Sequence, residues 1–209
     1  MRFLIADDHS IVRMGLRLML EAKYAQVQID EAENGDIIVN KIKEHKYDLL
    51  ILDFQMPNTD TFDIIGYLLA KDEHFKILIY SMASEKLYAG KLLKAGVKGF
   101  LSKETGNAEL LEAVEIVLNG DIYASETVRI NNLTDTADSA ADDNPFANLS
   151  DKEIGVLNYL IQGKNTKEIS TLSNLQMSTI STHKFRIFRK LNVTNMVELI
   201  ALAKEHKMC

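Results

Sequence analysis

Apolar and polar positions follow two different periods along the first 120 residues of the chain. Short continuous apolar runs, typical of buried strands in a parallel sheet, alternate with stretches in which apolar residues recur at helical spacing. The runs fall near residues 2–6, 26–31, 49–53, 76–81 and 99–102, and the helical stretches near 10–22, 34–45, 61–71, 85–95 and 107–119. This order predicts an α/β domain with a doubly wound, five-stranded parallel sheet and helices on both faces.

Polar residues predict where two of these helices begin and end. Ser10 is expected to be the N-cap of the first helix, because it directly precedes the apolar stripe that starts at Ile11. The fifth helix is expected to begin at Asn107 and to stop at Asn119 and Gly120, since glycine readily ends a helix.

The pattern changes character between about residues 124 and 148. The run from 134 to 145 has almost nothing to bury and carries only negative charge. Such a composition is typical of a flexible acidic linker. We therefore divide the chain into an N-terminal domain at 1–123, a linker at 124–146 and a C-terminal domain at 147–209.

The C-terminal domain shows helical periodicity throughout. Ser150 with Glu153 forms a capping-box pattern ahead of an apolar stripe, and Asn165 with Glu168 repeats that pattern before a second helix. Two further helices are expected near 177–191 and 195–206. Because the third helix follows a tight connection and is rich in basic and hydroxyl residues, we predict an all-α helix-turn-helix domain.

Length and composition limit the class of protein. A chain of 209 residues with 46% hydrophobic content is long enough for two domains with real cores. The single cysteine, Cys209, excludes a disulfide framework within the chain and weakly indicates a reducing compartment. No apolar run approaches membrane-spanning length, and acidic residues appear by position 7, unlike in a signal peptide. We expect a soluble, cytoplasmic protein with no membrane partner.

Charge is divided unevenly along the chain. Residues 1–125 hold 14 basic and 20 acidic side chains, a net charge of −6, and residues 126–148 hold 1 and 5, a net charge of −4. Residues 149–209 hold 9 basic and 5 acidic side chains, a net charge of +4. A basic C-terminal third on an acidic protein indicates an anionic partner, although a solvated surface would show the same charge.

Acidic residues stand at the ends of two strand-like runs. Asp7 and Asp8 follow the first run, and Asp53 ends the third. Ligands bind parallel sheets at the carboxyl ends of strands, so we expect the three carboxylates to converge there. One aspartate after a strand is more often only a cap or turn residue, but the joint pattern favours a site. Converging carboxylates need a cation, and all-oxygen ligation suits Mg²⁺.

Two further residues mark the same predicted edge. Ser81 ends the fourth strand-like run, and Lys103 follows the fifth. A metal and a lysine can neutralise a transferring phosphoryl group, and positioning with charge stabilisation does most of the work in such reactions. These residues therefore predict a site for a phosphoryl group, in which one carboxylate is the acceptor.

Two sets of motifs connect both domains to a known family. The N-terminal set is Asp7-Asp8, Leu52-Asp53 with Met56-Pro57, Ser81, Ala95-Gly96, Gly99-Phe100 and Lys103. The C-terminal set is Leu149-Ser150, Glu153, Val156-Leu157, Gly163, Lys167-Glu168-Ile169, Thr179-Ile180, His183, Ile187, Lys190-Leu191, Val193 and Glu198-Leu199. The first set resembles the flavodoxin-like receiver domain, and the second resembles the LuxR-type helix-turn-helix. Together they resemble a two-component response regulator of the NarL/FixJ type over nearly the whole chain except the linker.

The resemblance implies a role for each residue of the acidic site. Asp53 would be both the phosphoacceptor and a ligand of Mg²⁺, which would also be bound directly by Asp8 and either directly or through water by Asp7. Gln55 would give its backbone carbonyl to the metal. A sensor histidine kinase would supply the phosphoryl group.

The resemblance also implies how the phosphoryl group is held and sensed. Ser81 would hydrogen-bond one phosphoryl oxygen, and Lys103 would pair with another. Phe100 matches an aromatic switch position that turns inward when Ser81 moves. Such a pair forms a two-state element that a phosphoryl group can bias.

The third helix of the C-terminal domain carries the residues expected to contact DNA. The positions near its N-terminal outer side, which reach base edges in such motifs, are Ser181, Thr182 and Phe185. The positions able to contact phosphates are Thr179, His183, Lys184, Arg186, Arg189 and Lys190. Phe185 has two open interpretations, packing against a neighbouring helix or contact with a thymine methyl. No histidine shows metal-ligand spacing, so we expect no metal role for any of them.

Three functions remain to be distinguished. The leading one is a phosphorylation-activated, DNA-binding transcriptional regulator, not an enzyme, which binds double-stranded DNA as a homodimer. A Mg²⁺-dependent phosphohydrolase would use similar carboxylates, but it needs no basic helix-turn-helix, and the sequence shows no cap insertion. A regulator acting without phosphorylation would be expected to lack one of the site residues, and all are present. The divided charge also suggests that the acidic N-terminal part covers the basic helix until phosphorylation, although phosphorylation driving dimerisation alone is the alternative.

Overall fold

The computed structural model describes residues 1–56, 59–125, 145–173 and 175–206. The chain divides into two compact units, Met1–Thr136 and Ala137–Cys209. Pro57, most of the predicted linker and Cys209 lie outside the described residues. Within the described ranges, no helix combines the length and apolar character needed to cross a membrane.

The N-terminal unit alternates strands and helices as the hydrophobic pattern predicts. Its strands are β1 (Arg2–Ala6), β2 (Gln28–Ala32), β3 (Leu49–Leu52), β4 (Ile77–Ser81) and β5 (Gly99–Ser102). Its helices are α1 (Ser10–Lys23), α2 (Gly35–Glu44), α3 (Thr61–Lys71), α4 (Glu85–Lys94) and α5 (Asn107–Leu118). The strands pair in parallel in the order β2-β1-β3-β4-β5. The predicted five-stranded parallel sheet is therefore confirmed.

The central strands are apolar because helices cover both faces of the sheet. Every residue of β3 is buried, as are the first three residues of β4. Side chains alternate between the two faces of a strand, and one face packs against α1 and α5. That core includes Phe3, Ile5, Leu16, Leu20, Leu49, Ile51, Leu78, Leu110, Val114 and Val117.

The start of α1 differs from the sequence prediction by one residue. The helix begins at Ser10, and its N-cap is His9. The His9 carbonyl accepts the first helical hydrogen bonds, from the amides of Val12 and Arg13. The His9 amide in turn donates to the Asp7 carboxylate at 2.8 Å, so the turn begins before Ser10. The expectation that Ser10 is the N-cap was wrong.

The end of α5 follows its prediction. The helix begins at Asn107 and is capped by Asn119, and Gly120 then turns the chain with a φ of 93°. Beyond it, Tyr123 forms a parallel bridge with Gly99. The segment after α5 thus lies beside β5 and covers part of an edge that would otherwise expose unpaired backbone groups.

The C-terminal unit is helical throughout its described residues. A 3₁₀ helix at Pro145–Asn148 precedes α6 (Asp151–Ile161), α7 (Thr166–Ser173), α8 (Met177–Lys190) and α9 (Met196–Glu205). Apolar side chains of all four α-helices are buried together, among them Leu157, Ile169, Ile180, Ile187 and Leu199. Phe146 in the 3₁₀ helix is also buried, although it lies inside the predicted linker.

Both predicted capping boxes are present in this unit. The Ser150 amide donates to the Glu153 carboxylate at 2.8 Å, and the Glu153 amide donates back to the Ser150 hydroxyl at 3.4 Å. Asn165 and Glu168 exchange the same pair of bonds at 2.7 and 3.0 Å. Each box satisfies amides that a helix start leaves without intrahelical partners. The two capping boxes therefore define where α6 and α7 begin, and both helices precede α8 in the chain.

Candidate functional site

Backbone hydrogen bonds continue the sheet one residue past the carboxyl ends of three strands. The residue that follows each strand donates its amide to the neighbouring strand. The pairs are Asp53 to Ala6 at 2.7 Å, Asp7 to Ala32 at 3.1 Å and Lys103 to Ser81 at 3.0 Å. Because rigid strands hold these backbones, the three side chains start from fixed points on one edge of the sheet.

Lys103 joins two carboxylates at this edge. Its Nζ lies 2.6 Å from Asp53 Oδ2 and 2.6 Å from Asp7 Oδ2. Asp7 is 2% exposed and Asp53 is 4% exposed, so both carboxylates depend on these partners rather than on water. Burial alone would lower the pKa of Lys103, but hydrogen bonds and charge interactions with Asp53 and Asp7 outweigh it and raise that pKa. The lysine therefore stays protonated at neutral pH.

The second oxygen of Asp53 is also fixed. The Ser81 hydroxyl donates to Asp53 Oδ1 at 2.6 Å, and the Gln55 amide donates to the same oxygen at 3.1 Å. Ser81 is fully buried, so bulk water does not compete for its hydroxyl. The carboxylate of Asp53 is therefore held from both sides. The predicted metal contact of the Gln55 carbonyl stays a prediction.

Asp8 completes the acidic group beside Asp7 and Asp53. Ligand atoms of Asp7, Asp8, His9 and Asp53 all lie within 4.8 Å of one another. Asp8 Oδ1 is buried and accepts no hydrogen bond from the described residues, although His9 Nδ1 lies 2.9 Å away without suitable alignment. A buried carboxylate oxygen without a donor is costly unless a cation binds it. The arrangement therefore fits a bound cation.

The charge and chemistry of this group fit a divalent, oxygen-binding ion. The carboxylates of Asp7, Asp8 and Asp53 outnumber the single ammonium of Lys103, which leaves a net double negative charge. Mg²⁺ prefers carboxylate and carbonyl oxygens to imidazole nitrogen. The sequence interpretation did not anticipate His9 in this group, and its position next to Asp8 was the only available signal. We assign the oxygens, not His9, as ligands.

Phe100 lies one strand away from this group. It is 1% exposed and pairs in register with Ile79 of the neighbouring strand β4. The ring is therefore inward while Ser81 bonds Asp53. The residue after Ser81 is Met82, whose side chain is exposed. The switching role of Phe100 stays a prediction.

The second predicted site lies on α8, which has distinct inner and outer faces. Ile180 and Ile187 are buried on the inner face. The outer face exposes Ser181, Thr182, Phe185, Arg186, Arg189 and Lys190. The remaining predicted contact residues are half-buried, namely Thr179, His183 and Lys184. A helix that buries one apolar stripe and exposes a basic, hydroxyl-rich face is suited to a DNA groove.

Lys190 has a structural partner that the sequence interpretation missed. Its Nζ lies 2.6 Å from Glu153 Oε2 and donates to the Asn148 carbonyl at 2.9 Å. Burial alone would raise the pKa of Glu153, but hydrogen bonds from Lys190 and Ser150 outweigh it and lower that pKa. The ammonium of Lys190 is therefore engaged within the unit. A phosphate contact by Lys190 stays a prediction that would require it to leave or share this pair.

Phe185 has the opposite environment. Its side chain is 65% exposed, so it does not pack into the core of the unit. This exposure argues against the packing interpretation of Phe185, and its contact with a thymine methyl stays a prediction. The adjacent Lys184 places its Nζ 5.5 Å from the centre of the Phe188 ring.

Comparison with known families assigns both units. Residues 3–115 match the response regulator receiver domain, and residues 147–203 match the bacterial regulatory proteins of the luxR family. These two matched segments contain the acidic group and α8, respectively. The part between them, residues 116–146, includes the predicted linker at 124–146.

Similar proteins extend the match over nearly the full length of the chain. The Fimbriae Z protein of Salmonella typhimurium is 36% identical over 207 residues, which cover 98% of this chain and 97% of that protein. The response regulator UvrY of Escherichia coli K12 is 28% identical over 206 residues, which cover 99% of this chain and 94% of UvrY.

Solved structures show the same fold. A structure of RcsB from Salmonella enterica serovar Typhimurium, bound to the rprA promoter with the phosphomimetic BeF3⁻, is 25% identical and matches with a TM-score of 0.74. It covers 98% of each chain. A second RcsB structure from Salmonella typhimurium is 25% identical, matches with a TM-score of 0.80, and covers 99% of this chain and 98% of RcsB. Given these matches and the geometry of both units, the chain belongs to the NarL/FixJ-type response regulators, which are DNA-binding transcriptional regulators.

Proposed function

We propose that Asp53 accepts a phosphoryl group in the presence of Mg²⁺ and that this modification switches DNA binding by α8. The observation that carries the proposal is the convergence of Lys103 and Ser81 on the two oxygens of Asp53, beside the buried Asp8 oxygen that accepts no hydrogen bond from the described residues. A carboxylate held in this way is positioned as a nucleophile. The donor is a sensor histidine kinase, as the receiver domain implies.

The proposed reaction transfers the phosphoryl group from an imidazole nitrogen of the kinase to a carboxylate oxygen of Asp53. A carboxylate oxygen of Asp53 attacks the phosphorus, and the bond from phosphorus to the donor's imidazole nitrogen breaks. Lys103 pairs with one phosphoryl oxygen, because its ammonium stays charged and lies beside the carboxylate. Asp7, Asp8, Asp53 and the Gln55 carbonyl would hold Mg²⁺, which would neutralise part of the phosphoryl charge.

Ser81 and Phe100 form the proposed switch. The Ser81 hydroxyl has a single proton, which it now donates to Asp53 Oδ1. A phosphoryl group on Asp53 offers new acceptor oxygens, so the hydroxyl is drawn to them and β4 shifts with it. Phe100 packs in the adjacent strand and must accommodate that shift, because close-packed interiors transmit displacement rather than absorb it.

The proposal also names the partners of the phosphorylated protein, which are a second copy of the chain and double-stranded DNA. Phosphorylation favours a homodimer that binds paired half-sites on double-stranded DNA, since one small unit offers few contacts. Whether phosphorylation also uncovers the basic helix stays a prediction, as does the cytoplasmic location.

We place the receiver domain at 1–123 and the DNA-binding domain at 147–209, with the linker at 124–146 between them. A phosphohydrolase is disfavoured because the luxR-family match covers 147–203.

Mass spectrometry of the full chain tests the proposal. Incubation with acetyl phosphate and Mg²⁺ should add the mass of one phosphoryl group to the wild type and none to Asp53→Asn. Asp48→Asn is the matched control, because Asp48 lies at the other end of β3, where it accepts a bond from the Arg2 amide. Labelling of Asp53→Asn to the wild-type level would refute the assignment.

A further inference from the structure

The outer face of α8 carries large apolar side chains in the middle of a basic helix. Phe185 is 65% exposed and Met177 is 53% exposed. Met177, Ser181 and Phe185 are spaced four residues apart, so they share one face of the helix. Phe185 also lies about 200° around the helix from the buried Ile187, which keeps its ring out of the core.

The hydroxyls between these apolar side chains are already committed. The Ser181 hydroxyl donates to the Met177 carbonyl at 2.9 Å, and the Thr182 hydroxyl donates to the Ser178 carbonyl at 2.9 Å. A hydroxyl has one proton to donate. Towards solvent, both side chains therefore present acceptor lone pairs, and Thr182 adds a methyl group. The centre of the outer face offers apolar surface and acceptors rather than donors.

This chemistry selects among the bases of the major groove. Guanine presents only acceptors there, so the Ser181 and Thr182 hydroxyls offer it no proton while they donate within the helix. Thymine presents a 5-methyl group, which is the apolar feature of the groove, and apolar side chains contact it. Arg186 and Arg189 are exposed beside Phe185, and no carboxylate among the described residues pairs with either. Their charge suits the DNA backbone and brings Phe185 to the groove.

We propose that Phe185 determines the DNA sequence preference of this protein by packing against thymine 5-methyl groups in the major groove. The inference rests on the DNA-binding function of α8 and adds the base feature that α8 recognises. Flanking arginines supply affinity without sequence preference, because phosphates carry no base information. Phe185 therefore determines which DNA sequence is preferred, and Arg186 contributes to the affinity for any DNA sequence.

The test uses the full chain, phosphorylated with acetyl phosphate and Mg²⁺. A random-sequence duplex pool selected by the wild type should be enriched in thymines at fixed positions. Replacing a contacted thymine by deoxyuridine removes one methyl group and should weaken wild-type binding about fourfold. Phe185→Ala should bind the thymine duplex more weakly and bind both duplexes equally. Phe185→Leu, which keeps apolar contact, should retain part of the preference.

Controls separate this inference from the DNA-binding function itself. Arg186→Ala should lose affinity for both duplexes by the same factor and keep the wild-type preference. The role of Phe185 would be overturned if Phe185→Ala still distinguished the thymine duplex from the deoxyuridine duplex. It would also be overturned if Thr182→Ser, instead of Phe185→Ala, lost that distinction. Wild-type binding without any thymine preference would overturn the inference alone. Failure of the wild type to bind any duplex would overturn the function on which it rests.

Discussion

The hydroxyl of Ser81, at the end of β4, donates a 2.6 Å hydrogen bond to Oδ1 of Asp53, the residue that follows the neighbouring strand β3. The parallel pairing of β3 and β4 holds both backbones in place. A chemical change at Asp53 Oδ1 therefore acts directly on this hydroxyl. The pair connects the proposed modification to the end of β4.

Ser81→Ala should separate phosphorylation from its consequence. The variant keeps Asp53 and Lys103, so acetyl phosphate should still label it. Without a hydroxyl to follow the phosphoryl group, its DNA affinity should respond less to labelling than that of the wild type. Ser102→Ala is the control, because Ser102 pairs with Ser81 in register but bonds the Glu104 amide instead. A full response by Ser81→Ala would exclude the hydroxyl from the switch.

Mg²⁺ should stabilise the wild-type fold through Asp8. Closely spaced carboxylates repel one another until a cation binds, and a ligand at a hundred times its Kd stabilises the folded state by about 2.7 kcal/mol. Thermal melts with and without Mg²⁺ should show this shift in the wild type and not in Asp8→Ala. His9→Ala should keep the shift, since we assign the ion to oxygens. An equal shift in Asp8→Ala would remove that residue from the site.

The pair of Glu153 and Lys190 should make the C-terminal unit sensitive to acid. The pKa of Glu153 in the fold lies below its ordinary value of 4.5, so its stabilising contribution is present above pH 4.5 and is lost as pH falls through the lower value. Hydrogen exchange of α6 and α8, corrected for intrinsic rates, should show this loss in the wild type. Glu153→Gln should reduce the acid dependence, and an unchanged profile would contradict the role of the pair.

The basic residues of α8 should fall into two classes. Removing an exposed phosphate contact, as in Arg186→Ala or Arg189→Ala, should lower the salt dependence of DNA binding by about one unit of slope and leave the melting temperature unchanged. Lys190→Met should instead destabilise the fold by on the order of 1–3 kcal/mol, because it removes the ammonium that pairs with the buried Glu153 carboxylate. If Lys190→Met were as stable as the wild type and lowered the salt dependence of DNA binding, Lys190 would be a phosphate contact rather than a structural residue.

The sequence was sufficient for the features that depend on local pattern. Each strand-like run became a strand, and the residues after the runs, Asp7, Asp53 and Lys103, met at one edge because parallel strands share a direction. The capping box of Ser150 and Glu153 was equally predictable, since both partners lie within one turn. These inferences need only spacing and residue type.

Other features depend on contacts that spacing does not specify. Lys190 meets Glu153 across 37 residues, and no local pattern indicates that pairing. The N-cap of α1 moved to His9 because the Asp7 side chain bonds the His9 amide, a detail of the site rather than of the helix. The exposure of Phe185 could not be read from the sequence, because the spacing of residues within a helix does not show which faces the neighbouring helices cover.

The most direct test of the account is one DNA titration of the full chain, on a duplex selected by the phosphorylated wild type. Wild type and Asp53→Asn are each titrated with and without acetyl phosphate in Mg²⁺, and mass spectrometry confirms the labelling of each sample. We predict that labelling tightens DNA binding by the wild type and that Asp53→Asn shows no change. Equal affinity of labelled and unlabelled wild type, or an equal response by Asp53→Asn, would contradict the claim that a phosphoryl group on Asp53 controls DNA binding.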